Sequence, residues 1–255
     1  SLDSKSKELN LESRIDDLLT GKIVNFSEHQ AAWHPKYRRK FDSILAIRKS
    51  KAEYKNVVTL GIGGSFEGPK LLIESLHDSS SDINHIFITG SDAYEFKDKV
   101  NNLNPDETIF IVSSKSFTTD ETLETLKEAI TWSGNIEKFI AITANKEEAA
   151  KYNIKEIIEF DKEIGGRYSI WSDINLPALY GPKSNFDPKL FLKGGYQADL
   201  DIQNNSDYLN FIKILSFSDI WFNNFAGKNT RAILSYSWKL RSFANYAQQL
   251  EMESL

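Results

Sequence analysis

A chain of 255 residues has the length of one large domain or of roughly one and a half smaller ones, enough to bury a substantial core. Its 31 basic and 36 acidic residues give a formal charge of −5 with no basic block, which argues against general nucleic-acid binding but leaves room for a local anion pocket. The absence of Cys excludes disulfides, Cys-ligated zinc and thiol nucleophiles. The polar start SLDSKSKELNLES and the lack of a bilayer-length apolar run make a soluble cytoplasmic protein, off the membrane, the expectation.

Leu9 to Leu19 carries apolar residues at helical spacing (Leu11, Ile15, Leu18, Leu19), and Gly21 can end that helix. Asn25 to Lys40 is polar and rich in aromatics and bases, with Pro35 interrupting any helix, and Phe41 to Lys49 resumes helical spacing. Val57 to Leu60 is then a β-branched apolar run that suits a strand buried on both faces of a parallel sheet. Gly61, Gly63, Gly64 and Ser65 stop it, and Pro69 suits the first turn of a helix running through Lys70, Leu71, Leu72 and Ile73. A Gly-rich strand-to-helix turn can present backbone N–H groups to an anion. The dinucleotide fingerprint fails, because its third Gly position is Phe66. The P-loop fails too, because Gly68 is followed by Pro69. A plain tight connection is the competing reading of this turn.

Strand and helix then alternate. Ile86 to Thr89 ends at Gly90-Ser91 ahead of a helix from Ala93 to Val100, and Thr108 to Val112 ends in Ser113-Ser114-Lys115-Ser116-Phe117-Thr118-Thr119 ahead of a helix from Glu121 to Trp132. Phe139 to Thr143 leads to a charged helix around Lys146 to Lys151, and Ile157 to Phe160 is a further short strand. The pattern predicts an α/β fold, a five-stranded parallel sheet flanked by helices, with ligands at the carboxyl ends of the strands. Helix capping explains one or two hydroxyls after the third strand, but not that many with a Lys among them. Hydroxyls, N–H groups and an ammonium together suit a phosphate. Gly165-Gly166-Arg167 places a fixed planar cation beside backbone that a ligand can approach, although alone it reads as a surface loop. After Pro182 the chain reads as helical, with one helix from Asp187-Pro188, a long one over Tyr208 to Asn224 and another over Arg231 to Tyr246. The closing YAQQLEMESL has no helix stop and reads as an incomplete end.

Four motifs in order resemble one family, glucose-6-phosphate isomerase, also called phosphoglucose isomerase. They are Gly61-Ile62-Gly63-Gly64-Ser65 with Gly68-Pro69, Ser114 to Thr119 with Glu121-Thr122, Gly165 to Ser169, and Gln248 to Ser254. Asn25 to Arg38 echoes the family's segment upstream of the sheet. The resemblance implies a sugar-isomerase (SIS) sandwich over 51–182, with a helical extension over 1–50 and a helical segment over 183–255 leading toward a second SIS domain. It also implies interconversion of glucose 6-phosphate and fructose 6-phosphate through an enediol, with no metal or organic cofactor, in a homodimer that shares its active sites. By position, Ser114, Ser116 and Thr119 would bind the phosphate with Ser65 and Lys115 alongside. Arg167, with Gly166 beside it, would stabilise charge on the enediol, Gln249 would line the sugar, and Glu253 would carry the proton between C1 and C2. Ser116 stands where the family usually has Thr. None of His29, His34, His77 and His85 aligns with the family's ring-opening His, which with a further catalytic Lys belongs to the second domain. The resemblance therefore implies a portion of an isomerase with little activity alone. The rival reading is a non-catalytic sugar-phosphate-binding SIS regulatory domain, which would need the hydroxyls but neither Gln249 nor Glu253.

Overall fold

The computed structural model describes residues 2–19, 54–76, 83–162, 164–175 and 188–254. The segment Asn25 to Lys40 and the helix expected over Phe41 to Lys49 lie outside them. Two short helices open the chain, α1 (Leu2–Glu8) and α2 (Leu11–Leu19). The sheet and its helices then alternate as β1 (Asn56–Leu60), α3 (Gly64–Leu76), β2 (Asn84–Ile88), α4 (Ala93–Val100), β3 (Thr108–Ser113), α5 (Asp120–Ser133), β4 (Phe139–Thr143), α6 (Lys146–Ala150) and β5 (Glu156–Glu159). Short 3-10 turns at Gly166–Trp171 and Asp173–Asn175 follow, then α7 (Pro188–Asn204), α8 (Ser206–Ile220) and α9 (Phe243–Ser254).

The five strands are parallel and lie in the order β2-β1-β3-β4-β5. The chain steps one way from β1 to β2, then crosses back over β1 to β3 and continues to β5. Because strand crossovers are right-handed, that reversal puts α3 on one face of the sheet and α4, α5 and α6 on the other. The core divides accordingly. On the α3 face, Val57, Ile109, Ile111, Ile140, Ile142 and Ile158 pack with Leu71 and Leu72, and with Ile164, Ile170 and Ile174 from the turns after β5. On the other face, Val58, Leu60, Phe110, Val112, Phe139 and Ala141 meet Phe96, Leu126, Ala129 and Ala149. Phe110 stacks on Phe139 at 4.8 Å and meets Trp132 edge-on at 5.8 Å. Every residue of β1, β3 and β4 is buried, as the unbroken apolar runs required.

Two local expectations need correction. Helix α3 begins at Gly64, so Pro69 lies inside the helix and not in its first turn. The helix starts early because Gly63, at φ +58°, turns the chain and its carbonyl accepts from the N–H groups of Phe66 (3.0 Å) and Glu67 (2.9 Å). The helix expected over Arg231 to Tyr246 forms only from Phe243. Residues 227–236 have no regular secondary structure, and a 3-10 turn covers Trp238–Leu240. Leu234, Tyr236, Trp238 and Leu240 alternate with Ser235, Ser237 and Lys239 at a period of two, which a helix cannot bring to one face.

Candidate functional site

In an open parallel sheet the strand order reverses where two neighbouring strands send their connections to opposite faces, and a crevice opens outside their carboxyl ends. Here those strands are β1 and β3. Their carboxyl ends touch: a Cβ on Gly61 would lie 2.7 Å from the Ser113 carbonyl, so only Gly lets the two turns approach this closely. Helices α3 and α5, of 13 and 14 residues, both start at this crevice and direct the positive ends of their dipoles toward it.

The β3 turn holds the predicted hydroxyls. Ser114 is buried, and its Oγ accepts from the N–H of Phe117 at 3.2 Å and lies 3.3 Å from Thr119 Oγ1. Thr118 Oγ1 donates to the exposed Ser116 Oγ at 2.7 Å. Thr119 occupies the N-cap of α5 and makes no side-chain capping bond, so capping does not explain its hydroxyl. The carbonyl of Lys115 accepts from Thr143 Oγ1 and from the N–H of Ala144, each at 3.0 Å, which ties the turn to the end of β4. Phe117 holds the turn from within. It is buried, packs edge-on against Tyr152 at 5.8 Å, and adopts φ +54°, a left-handed backbone that a bulky residue takes only under constraint. Nothing in the sequence marks Phe117 for this conformation.

The β1 turn meets two distant segments. A Cβ on Gly64 would lie 2.6 Å from the carbonyl carbon of Gly166 and 3.0 Å from Ser169 Oγ, so the two glycine motifs are in direct backbone contact. Ser169 Oγ donates to the Gly166 carbonyl at 2.5 Å and reaches that of Gly64 at 3.3 Å. Gly63 faces α9, where a Cβ would come within 3.2 Å of Gln249 Nε2. The structure thus brings Ser65, Gly166 and Gln249 to one rim beside the Ser114–Thr119 turn. Arg167 lies next to Gly166 in its 3-10 turn, and Glu253 lies one helical turn beyond Gln249 on the same face of α9. These two are described by backbone alone.

Two features depart from the sequence reading. The N–H groups of Ser65 and Phe66 are taken by the carbonyls of Ile62 (3.1 Å) and Gly63 (3.0 Å), so these two do not face an anion. The end of β2 is structural. The Gly90 carbonyl accepts from Thr125 Oγ1 at 2.8 Å, Asp92 caps α4 through the N–H of Tyr94, and Glu95 Oε1 lies against the N–H of Thr89. Those carboxylates do not suit a phosphate. Glu67, one turn into α3, has a buried Oε2 without a hydrogen-bond partner among the described residues. Burial raises its pKa above the ordinary carboxylate value, Lys70 partly opposes this and Glu74 adds to it.

Comparison with known proteins converges on one family. The family model for phosphoglucose isomerase matches residues 47–255. The glucose-6-phosphate isomerase of Pseudomonas putida (strain GB-1) is 33% identical over 290 residues, covering 98% of this chain and 52% of its own length. That of Legionella pneumophila (strain Paris) is 34% identical over 284 residues, covering 98% and 56%. The chain therefore spans about half the length of the curated relatives it matches. Among solved structures, a hypothetical protein from Thermus thermophilus aligns with a TM-score of 0.81 at 21% identity, over 99% of this chain and 61% of that one. A glucose-6-phosphate isomerase from Chlamydia trachomatis aligns with a TM-score of 0.78 at 22% identity, over 99% and 55%. These two likenesses bear on the fold alone.

Proposed function

The chain belongs to the phosphoglucose isomerase family, and from that premise we propose that it supplies one half of a cytoplasmic glucose-6-phosphate isomerase. The observation that carries the proposal is the meeting of three motifs far apart in sequence: Gly63 and Gly64 against Gln249 on one side and Gly166 on the other, at the carboxyl ends of the switch-point strands. A phosphate would sit in the Ser114–Thr119 turn, bound by Ser114, Ser116 and Thr119 with Ser65 and Lys115 beside them. Two helix dipoles favour an anion there. The sugar would then extend past Gly166 toward α9, where Gln249 lines it.

In this reading Glu253 takes the proton from C2 of the open-chain aldose and returns it to C1, while the hydroxyl proton on O2 passes to O1, so that C2 becomes the ketone and C1 the alcohol. A single carboxylate suffices for the carbon-bound proton because the two carbons are adjacent. Negative charge develops on O1 in the enediolate and passes to O2 with that hydroxyl proton shift, and Arg167 offers a fixed cation that stabilises it more than the neutral substrate. The sheet and its turns, within 51–182, form the sugar-phosphate domain, preceded by an N-terminal segment over 1–50 and followed by a segment over 183–255 that carries α7, α8 and α9.

A homodimer fits the surface. Helix α8 buries none of its residues, and Phe211, Ile214, Phe222, Leu234, Tyr236 and Trp238 are exposed, with Tyr236 98% accessible. A patch of this kind is expected to be covered in the assembled protein.

The test is a coupled assay of fructose 6-phosphate to glucose 6-phosphate conversion on the intact protein from its source, with Glu253→Gln as the variant. Turnover that collapses in the variant supports the proposal. Sugar-phosphate binding with no turnover in the intact protein would replace it with a regulatory sugar-phosphate sensor.

A further inference from the structure

The helix that carries Gln249 and Glu253 is held at both ends by charged contacts. At its start, Ser242 Oγ bonds Glu74 of α3, Arg241 Nε lies 3.3 Å from the same carboxylate, and Ser75 Oγ donates to the Lys239 carbonyl at 2.7 Å. At its end stands Arg231, from the irregular strap over 227–236. Its Nη1 donates to Glu251 Oε1 in the last turn of α9 at 2.6 Å and to Asp219 Oδ2 near the end of α8 at 3.0 Å. Ile233, Ala244, Asn245, Gln248 and Met252 join Arg231 and Glu251 around a cavity of about 260 Å³ behind the helix.

Glu251 precedes Glu253 by two residues, so at about 100° per residue it lies on the side of the helix opposite to position 253. A grip on Glu251 therefore restrains the last turn from behind without occupying the front. That restraint matters at this point, because a terminal turn leaves carbonyls unpaired and frays. A guanidinium there also opposes the negative end of the helix dipole.

We infer that Arg231 is a positioning residue of the isomerase: by clamping Glu251 to Asp219 it fixes the last turn of α9, and so the register of Glu253 against the Gly63–Gln249 contact. The inference rests on the isomerase reading given above. Arg231 and its partners are each a third or more exposed, so the pair contributes little to global stability. Its effect belongs in turnover, because small misplacements of a reacting group cost rate steeply.

The experiment uses the intact, full-length protein. Arg231→Gln is expected to lower kcat about tenfold, with KM within about twofold and thermal stability nearly unchanged. Glu251→Gln should do the same, and the double variant should be no worse than the poorer single one, because both remove one contact. Arg231→Lys, which keeps the charge but not the planar fork, should restore part of the rate. Lys155→Gln, which removes a surface pair with Glu137, is the neutral control. Unchanged kcat in Arg231→Gln, or losses in the two single variants that simply add, would overturn the inference while leaving the isomerase reading intact. Turnover that survives Glu253→Gln would remove that reading itself, and this inference with it.

Discussion

Replacing Gly64 by Ala tests the contact on which the site is built. The new methyl would lie 2.6 Å from the Gly166 carbonyl carbon and closer still to its oxygen, whereas ordinary contact begins at 3.4 Å, so two backbones must part by at least about 0.8 Å. Neither side yields freely. Helix α3 is anchored by Leu71 and Leu72, and the Gly166–Trp171 turn by Ile170, all in one core. Overpacking of this kind costs about 1–3 kcal/mol, offset in part by the ~0.5–1 kcal/mol that Ala gains over Gly inside a helix. The net loss of about 1–2 kcal/mol corresponds to a fall in Tm of roughly 2–8 °C. Catalysis should suffer more, because a displacement of about 1 Å separates the Gly63–Gly64 turn from the segment carrying Arg167, with a loss in kcat/KM of up to about 100-fold. Calorimetric unfolding and the coupled isomerase assay on the full-length protein measure the two effects separately. A variant with Tm within about 1 °C and kcat/KM within about twofold of the parent would refute the reasoning, since the contact would then be soft.

The remaining expectations use other parts of the molecule. Gly194→Ala in α7, where nothing among the described residues lies within 4 Å of the new methyl, should raise stability by about 0.5–1 kcal/mol in thermal unfolding and leave turnover alone. Phe110→Ala removes the ring stacked on Phe139 and should cost about 3–5 kcal/mol in denaturant titration with activity per folded molecule retained. Ser114→Ala removes the acceptor of the Phe117 N–H and a proposed phosphate ligand, so KM for sugar phosphate should rise about tenfold or more, as loss of a hydrogen bond to a charged group implies. For Glu67 the raised pKa means that the folded state holds its proton more tightly than the unfolded state. This group therefore costs stability as pH rises above the ordinary carboxylate value of 4.5, with the full cost reached above its folded pKa. Glu67→Gln should stabilise the protein at pH 7 relative to the parent and lose that advantage near pH 4. An equal difference in Tm at both pH values would contradict the assignment.

Elements whose cause is local could be read from the residues alone. Val57 to Leu60, Thr108 to Val112 and Phe139 to Thr143 are continuous β-branched and aromatic runs, and such runs are stable only with both faces covered, so strands and parallel sheet were legible together. The glycines at 61, 63 and 64 and the hydroxyls from Ser114 to Thr119 were legible as candidate site material, because few other roles need those residue types in such density. Thr119 shows the limit of that reading. Its letter suits a helix cap equally well, and only the structure shows the hydroxyl turned to Ser114 instead.

Tertiary structure alone decided which turns meet. No local pattern states that β1 lies between β2 and β3. Right-handed crossovers cover both faces only where the strand order reverses, and packing places that reversal here, which puts the switch point at Gly61 and Ser113. The same holds for the approach of Gly64 to Gly166, for the left-handed backbone of Phe117, and for the strap that brings Arg231 to Glu251. Each depends on partners far away in the chain, and side-chain periodicity carries information only about the residue's own helix or strand. The residue types of the site are therefore written along the sequence, while their assembly is a property of packing.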